Sequence, residues 1–497
     1  MKLFGFKPES GDCVGDAMPF YHGGEWHVFY LKPPKDAWDP IERSLTTMAH
    51  VKSADLLNWI EMPDCFGLGK EGDADERGCW TGSVIERGGI FHFFYTGYDP
   101  KKGQQNICKA LSSDLINWDK ITTNPILEAD PEHYELGDWR DPFVYWDEQI
   151  GYYRMLIVAR SNQGPFWSRG CIAVATSNDL ESWQLQKPEA SRFPKHQTFC
   201  PECPEIFQLG DYWYYVVSRF SEDQQTIYFV SQNQDGPWER RRLDTVEGRR
   251  FYAAKSSSDG IRRVTFAWIP FRQHKSDNGT FCWGGTFGSP RELVSNPDGT
   301  LTMRMLPEIY ESYTQAIPLR FAGKKWGQWE EEDNIIKIKA ENEYAYGLMS
   351  VQDVEDVLME TILSVKPDGT KAGLLIEADE DMRSGYFLSI DPLREQVVLN
   401  KWPQDQDFHW ETWLTKTTPE LQFNQEKNNP LVHRTLPYLP DNHRYSIKVL
   451  RKGSGIECYV ADQVCASFRI YKKSKTPFGI FVEGGVAEFD CLELRRG

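Results

Sequence analysis

Long apolar runs are missing from this chain. No stretch of about 18 apolar residues occurs in its 497 residues, so no helix long enough to span a bilayer is expected. A basic excess is missing too. Acidic residues number 73 against 56 Lys and Arg, a formal net charge of −17, and nucleic acid and anionic membranes are therefore not expected as partners, since both are held by basic patches. The opening residues, MKLFGFKPESGD, carry a lysine but no apolar core of the roughly 7–15 residues a secretory signal uses, so a cytoplasmic location is the expectation. Cysteine is sparse and odd in number, 11 scattered without dense spacing, which suggests reduced thiols. Cys200 and Cys203 form a lone C-x-x-C with neither a second pair for zinc nor a thioredoxin-like βαβ setting. No metal and no cofactor are expected. Long amphipathic helical patterns are few.

What the chain has is aromatic residues, 14% of the total with 18 Trp and 22 Tyr, a composition that favours strands. Short aromatic and β-branched runs separated by Gly, Asp, Asn and Pro read as all-β. Within them SADLLNW (53–59), SSDLINW (112–118) and SNDLESW (177–183) are near copies, with SQNQDGPW (231–238) a degenerate fourth. An aromatic strand series runs in phase: WHVFYL (26–31), FHFFYTG (91–97), YRMLIVAR (153–160), YWYYVVS (212–218) and VTFAWI (264–269). Five units of roughly 50–60 residues, each able to make a four-stranded sheet, suggest a five-bladed β-propeller. The S-x-D-L pieces look like turns in which Ser and Asp bond nearby amides, with the following Trp packed between blades. The pattern fades near residue 308, and about seven strand-like segments of different rhythm follow, suggesting a β-sandwich. The expected division is a catalytic propeller over 1–315, a linker over 316–335 and a sandwich over 336–497. The tract 403–440 is loop-rich and reads as an insertion; the aromatics Trp402, Trp410 and Trp413 fit loop packing and sugar platforms equally.

The repeat also serves as a ruler. Just upstream of each aromatic strand lies the segment expected to be innermost in its blade, beginning near Asp16, Trp80, Asp141, Glu202 and Phe251. Equivalent positions in blades around one axis converge on that axis, so Asp16, Asp141 and Glu202 are expected to face one another. Clustered carboxylates repel, and at least one should keep its proton at neutral pH. A protonated acid beside an ionised one is the equipment for cleaving a glycosidic bond. Glu202 is held stiffly, with prolines at 201 and 204.

These motifs resemble glycoside hydrolase family 32, the β-fructosidases. Trp139-Arg140-Asp141-Pro142 is similar to the family's R-D-P motif and Glu202-Cys203-Pro204 to its E-C-P motif. The segments CWTGSV (79–84), FYAAK (251–255), WGGTFGSPREL (283–293) and GIECYVADQVCASFRIY (455–471) follow in the family's order. The resemblance implies a five-bladed propeller with a C-terminal β-sandwich, and retention of anomeric configuration. It implies Asp16 as nucleophile, Glu202 as acid/base and Asp141 as transition-state stabiliser. It places Arg140, Trp80, Thr81 and Trp268 around the sugar, with Cys203 packed beside the acid. The implied partner is an oligosaccharide or small glycoside; homo-oligomerisation is left open.

The departures lie in the first blade. The family's W-M-N-D-P-N-G is here Cys13-Val14-Gly15-Asp16-Ala17-Met18-Pro19, so Gly15 replaces an Asn. F-Y-Q becomes Phe29-Tyr30-Leu31, and W-G-H becomes Met48-Ala49-His50. The substrate is accordingly expected to be a β-fructofuranoside of unusual kind: a fructo-oligosaccharide, a fructan fragment or a fructose dianhydride. An arabinoside hydrolase or glycoside phosphorylase on a related propeller is the enzymatic alternative, and a non-catalytic carbohydrate-binding propeller is the other.

Overall fold

A computed structural model describes residues 1–497 except 12, 100, 195–197, 223, 278, 341–342, 352–353 and 403–430. Trp410 and Trp413, with most of the tract 403–440, lie outside the described residues; Trp402 closes a strand and is exposed. The architecture is nearly all β, a five-bladed propeller followed by a sandwich. Among the described residues no helix is long and apolar enough to cross a membrane.

The chain forms two compact units. The first holds residues 1–246, 250–270 and 282–301, and the second holds 247–249, 271–281 and 302–497. The unit boundary thus falls after Leu301, where the sequence suggested residue 315. In the first unit, blade 1 pairs Ala17–His22, Glu25–Lys32, Thr47–Ser53 and Ile60–Glu61 in order. Blade 2 runs from Cys79–Arg87 to Asp119–Lys120, and blade 3 from Tyr134–Asp147 to Gln184–Leu185. Blade 4 has three strands, Glu202–Leu209, Tyr212–Arg219 and Gln225–Ser231; blade 5 begins with Tyr252–Ser258 and Arg263–Arg272. The ring is closed by backbone: Val14 and Gly285 exchange N–H···O bonds of 2.8 Å in each direction.

The repeated heptapeptide explains why the blades resemble one another. Asp55 Oδ1 accepts from the backbone N–H of Leu57 (3.0 Å) and Asn58 (2.7 Å), and the Trp59 indole donates to Leu56 O (3.0 Å). Asp114 and Asp179 repeat the amide bonds at 2.7–2.8 Å. The bonds hold Leu56, Leu115 and Leu180 at φ +62°, +63° and +64°, a left-handed conformation that is unfavourable for leucine. Each Trp then bridges blades. Trp118 lies edge-on to Phe29 of blade 1 and Phe93 of blade 2, Trp59 to Phe266 of blade 5, and Trp183 to Phe94 of blade 2. Such pairs contribute about 0.5–1.5 kcal/mol beyond the area they bury.

Among the described residues the second unit is a sandwich of an eight-stranded and a seven-stranded antiparallel sheet. The expected linker, 316–335, instead carries two strands, Arg320–Trp326 in the seven-stranded sheet and Gln328–Glu332 in the eight-stranded one. Its acidic run hid them. Glu330, Glu331 and Glu332 sit on an edge strand facing water, where charge is tolerated, while Trp329 packs on Phe321 with ring centroids 5.3 Å apart.

Candidate active site

The inner strands of blades 2 to 5 share a defect at one place. Trp80 pairs with Thr96 and Gly82 with Tyr95, leaving Thr81 extra. Arg140 pairs with Val158 and Phe143 with Leu156; Glu202 with Ser218 and Glu205 with Val216; Tyr252 with Trp268 and Lys255 with Phe266. Each is a β-bulge, and Asp141, Cys203 and Ala253 in them stand at φ +53°, +52° and +54°. Strain of this kind, about 1–3 kcal/mol per residue, re-aims side chains at sites. The sequence ruler therefore needs correcting by one residue. The register equivalents of Glu202 are Trp80, Arg140 and Tyr252, whereas Asp141 is equivalent to Thr81 and Cys203. Spacing along the chain could not show this, because a bulge is defined only against the partner strand. Asp16 enters from blade 1 without a bulge, its carbonyl accepting from Leu31 N–H (3.3 Å).

The three acids nevertheless meet in one cavity of about 310 Å³, which Arg140, Trp80 and Thr81 also line. Asp16 is clamped: Thr81 Oγ1 donates to Oδ2 (2.6 Å), the Trp268 indole to Oδ1 (2.8 Å), and Cys203 Sγ lies 3.5 Å from Oδ2. Trp268, expected around the sugar, and Cys203, expected beside the acid, both contact Asp16, and each is only 1% exposed. Cys203 also donates its N–H to Asp141 Oδ2 (2.9 Å), so one residue orients two acids. Burial holds its thiol well above the ordinary range, which makes it a donor and not a nucleophile.

Glu202 accepts from Arg140 Nη2 at Oε1 (2.9 Å) and from Tyr252 Oη at Oε2 (2.7 Å). Arg140 is itself held by Asp138 (2.6 Å) and Gln105 (3.2 Å), with Cys200 Sγ 3.1 Å from Nη2. Asp141 donates its backbone N–H to Thr96 Oγ1 (2.8 Å). Burial raises all three carboxyls. Asp16 rises against its hydrogen bonds from Thr81, Trp268 and Cys203; Glu202 rises against Arg140 and Tyr252. Asp141 is pushed up to about 7 by burial, with Arg140 opposing and Glu202 and Asp16 adding repulsion. Among the described residues one grouping has metal-ligand chemistry, Asp130, Glu132 and His133, and it shares no residue with the cavity.

Three carboxyls from three blades each accept hydrogen bonds within the one cavity. Residues 7–304 match the glycosyl hydrolases family 32 N-terminal domain. The chain belongs to glycoside hydrolase family 32. It is 23% identical over 509 residues to an Arabidopsis thaliana β-fructofuranosidase, insoluble isoenzyme CWINV3, covering 92% of this chain and 81% of that one. It is 25% identical over 380 residues to a fructan 6-exohydrolase of Beta vulgaris, covering 68% and 60%. Among solved structures, fructan 1-exohydrolase IIa from Cichorium intybus superposes with a TM-score of 0.72 at 18% identity, over 99% of this chain and 97% of that one. The Bombyx mori β-fructofuranosidase BmSUC1 does so with 0.67 at 19%, over 100% and 94%. At these identities the superpositions show a shared fold.

This family 32 hydrolase fills its altered first blade with an aromatic ring. A Cβ at residue 15 would stand 2.4 and 2.7 Å from Cη2 and Cζ2 of Trp283 and 3.1 Å from Leu31 Cβ, so only glycine fits beneath the indole. Trp283 and Leu31 both line the cavity. Buried Arg43 holds the backbone there: it donates to Trp283 O (2.6 Å) and Ala37 O (2.6 Å), and its Nη2 lies 3.0 Å from Cys13 Sγ. The Trp80 indole ties the same rim through Ser44 O (2.8 Å). Behind the acids, buried Lys255 joins the bulges of blades 2 and 4, 3.3 Å from both Gly82 O and Pro204 O. Asp138, Gln105, Tyr252, Arg43 and Lys255 escaped the sequence reading. For Asp138 a signal existed, since it sits two residues before Arg140 on an inner strand and so shares its face.

Proposed function

We propose that this enzyme hydrolyses β-fructofuranosidic bonds with retention, through a covalent intermediate on Asp16. Glu202 donates its proton to the glycosidic oxygen while Asp16 attacks the anomeric carbon, forming the carboxylate–sugar bond as the leaving-group bond breaks. Glu202 then takes a proton from water, whose oxygen displaces Asp16 and restores both groups. Asp141 bonds sugar hydroxyls as positive charge develops at the ring. The observation carrying this reading is the clamp on Asp16. The Trp268 indole N–H can only donate, so Oδ1 must accept, which favours an ionised and oriented carboxylate. Glu202 keeps a side chain 22% exposed, as a group exchanging protons with water requires.

The substrate class we favour is a fructo-oligosaccharide, a fructan fragment or a fructose dianhydride. With Gly15 and Leu31 in place of the two amides of the pattern this blade resembles, and the Trp283 ring over Gly15, the wall offers C–H faces where hydrogen-bond partners for sugar hydroxyls would stand, which disfavours substrates selected through those hydroxyls. Phosphorolysis is less well supported, because Arg140 is the one cation lining the cavity among the described residues and is already paired to Asp138 and Glu202. We place the reaction in the cytoplasm, a proposal supported by cysteines that are odd in number and scattered without dense spacing; recovery of the native protein from the exported fraction of its cell would overturn it. Asp16→Ala and Glu202→Ala should each lose at least ~10³ in kcat on the fructoside that wild type cleaves, with unchanged circular dichroism. Near-full activity in either variant removes the assignment.

A further inference from the structure

The sandwich carries its own cavity, of about 710 Å³, on the face of the seven-stranded sheet that points away from the core. The alternation along Gly385–Asp391 defines that face: Tyr386, Leu388 and Ile390 are buried inward, whereas Phe387 and Ser389 look into the cavity. Across the strands Phe481, Gly373, Ser389, Val398 and His433 stand side by side. Gly373 lets the neighbouring strand approach closely, since a Cβ there would overlap Leu388 O. Tyr344 stacks on Phe481 with centroids 5.5 Å apart and planes 10° apart, and Phe387 meets the same ring edge-on at 5.9 Å. The Tyr344 hydroxyl is buried without a hydrogen-bond partner among the described residues, an arrangement that leaves a donor and acceptor waiting for a ligand.

The charges around this cavity largely cancel. Lys371 pairs with Glu483 (3.3 Å) and Arg394 with Asp391 (2.9 Å). Apart from these two pairs and Lys401, the lining offers aromatic faces, the Tyr344 phenol and the amides of Asn400 and Gln396, a surface suited to a neutral ligand. We propose that this cavity is a carbohydrate-binding site separate from the catalytic one, taking a neutral oligosaccharide segment of a fructan. C–H faces of the sugar stack on the aromatic group while its hydroxyls bond Tyr344 and Asn400. The fructan class rests on the proposed function; the choice of a neutral sugar rests on the lining alone.

The test uses the full chain carrying Asp16→Asn, run in native gels containing levan or inulin. Retardation by at least one polymer is expected. Adding Phe387→Ala, or independently Asn400→Ala with His433→Ala on the more exposed strands, should weaken apparent affinity at least ~10-fold. In the active background these substitutions should leave hydrolysis of sucrose and 1-kestose within about twofold, because they are remote from the acids in sequence and belong to the other unit. No retardation by either polymer overturns the site, as does retardation that survives both sets of substitutions. Altered sedimentation of the variants with unchanged polymer binding would make the face an interface between copies instead, and also overturns it. Loss of retardation in the variants of a protein that cleaves no fructoside would sink the proposed function while leaving this site standing.

Discussion

Asp141 couples protonation to stability. Its folded carboxyl is raised to about 7 from an ordinary value of 3.8, because burial and its two acidic neighbours outweigh Arg140. A raised carboxyl means the native state holds its proton more tightly than the unfolded chain. Its contribution to stability is full below about 3.8 and is lost as pH rises through about 7. Asp141→Asn should therefore melt higher than wild type near pH 8, with the difference shrinking near pH 4; an equal difference at both pH values would contradict the environment described. Gly15 makes a second prediction at this scale. Gly15→Ala should destabilise by about 1–3 kcal/mol through overlap with Trp283, and Trp283→Ala should relieve most of that cost in the double variant. Additive losses in urea melts would show that the two residues do not share space. That Asp16, Asp141 and Glu202 share one cavity was legible because the repeat spaces them in phase. The Trp283–Gly15 approach was not legible, since it joins residues at opposite ends of the propeller and depends on where one ring lies.

The repeated heptapeptide is the element that made the fold readable, because its hydrogen bonds are local and its sequence spells them out. Asp55→Ala, Asp114→Ala and Asp179→Ala should each cost about 1 kcal/mol, as loss of a capping oxygen does, and the three should add because they lie in different blades. Denaturant melts of the single and triple variants check this; strong non-additivity would mean the turns act through one another. Elements whose geometry depends on a partner were less legible. The bulges at Thr81, Asp141, Cys203 and Ala253 shift the ruler by one residue only once the second strand of each blade is in place. The edge strand Gln328–Glu332 reads as linker because its outward side chains are acidic, and only its pairing with Ile335–Lys339 shows otherwise.

On the scale of the whole molecule, the propeller assembles the cavity. It brings residues 16, 141 and 202 from blades 1, 3 and 4 into one cavity, and Cys203, Lys255 and Thr96 tie the contributing strands together behind it. The ring fixes this geometry because no blade can bury both its faces alone. The central claim, that Asp16 becomes covalently attached to the sugar, is tested most directly by acid-quenching the enzyme during turnover of its fructoside and mapping the labelled peptide by mass spectrometry. The account predicts the mass of one anhydrohexose on Asp16 in wild type and none in Asp16→Asn. A sugar mapped to Glu202 or Asp141, or an inverted first product by NMR with no labelled peptide, would contradict it.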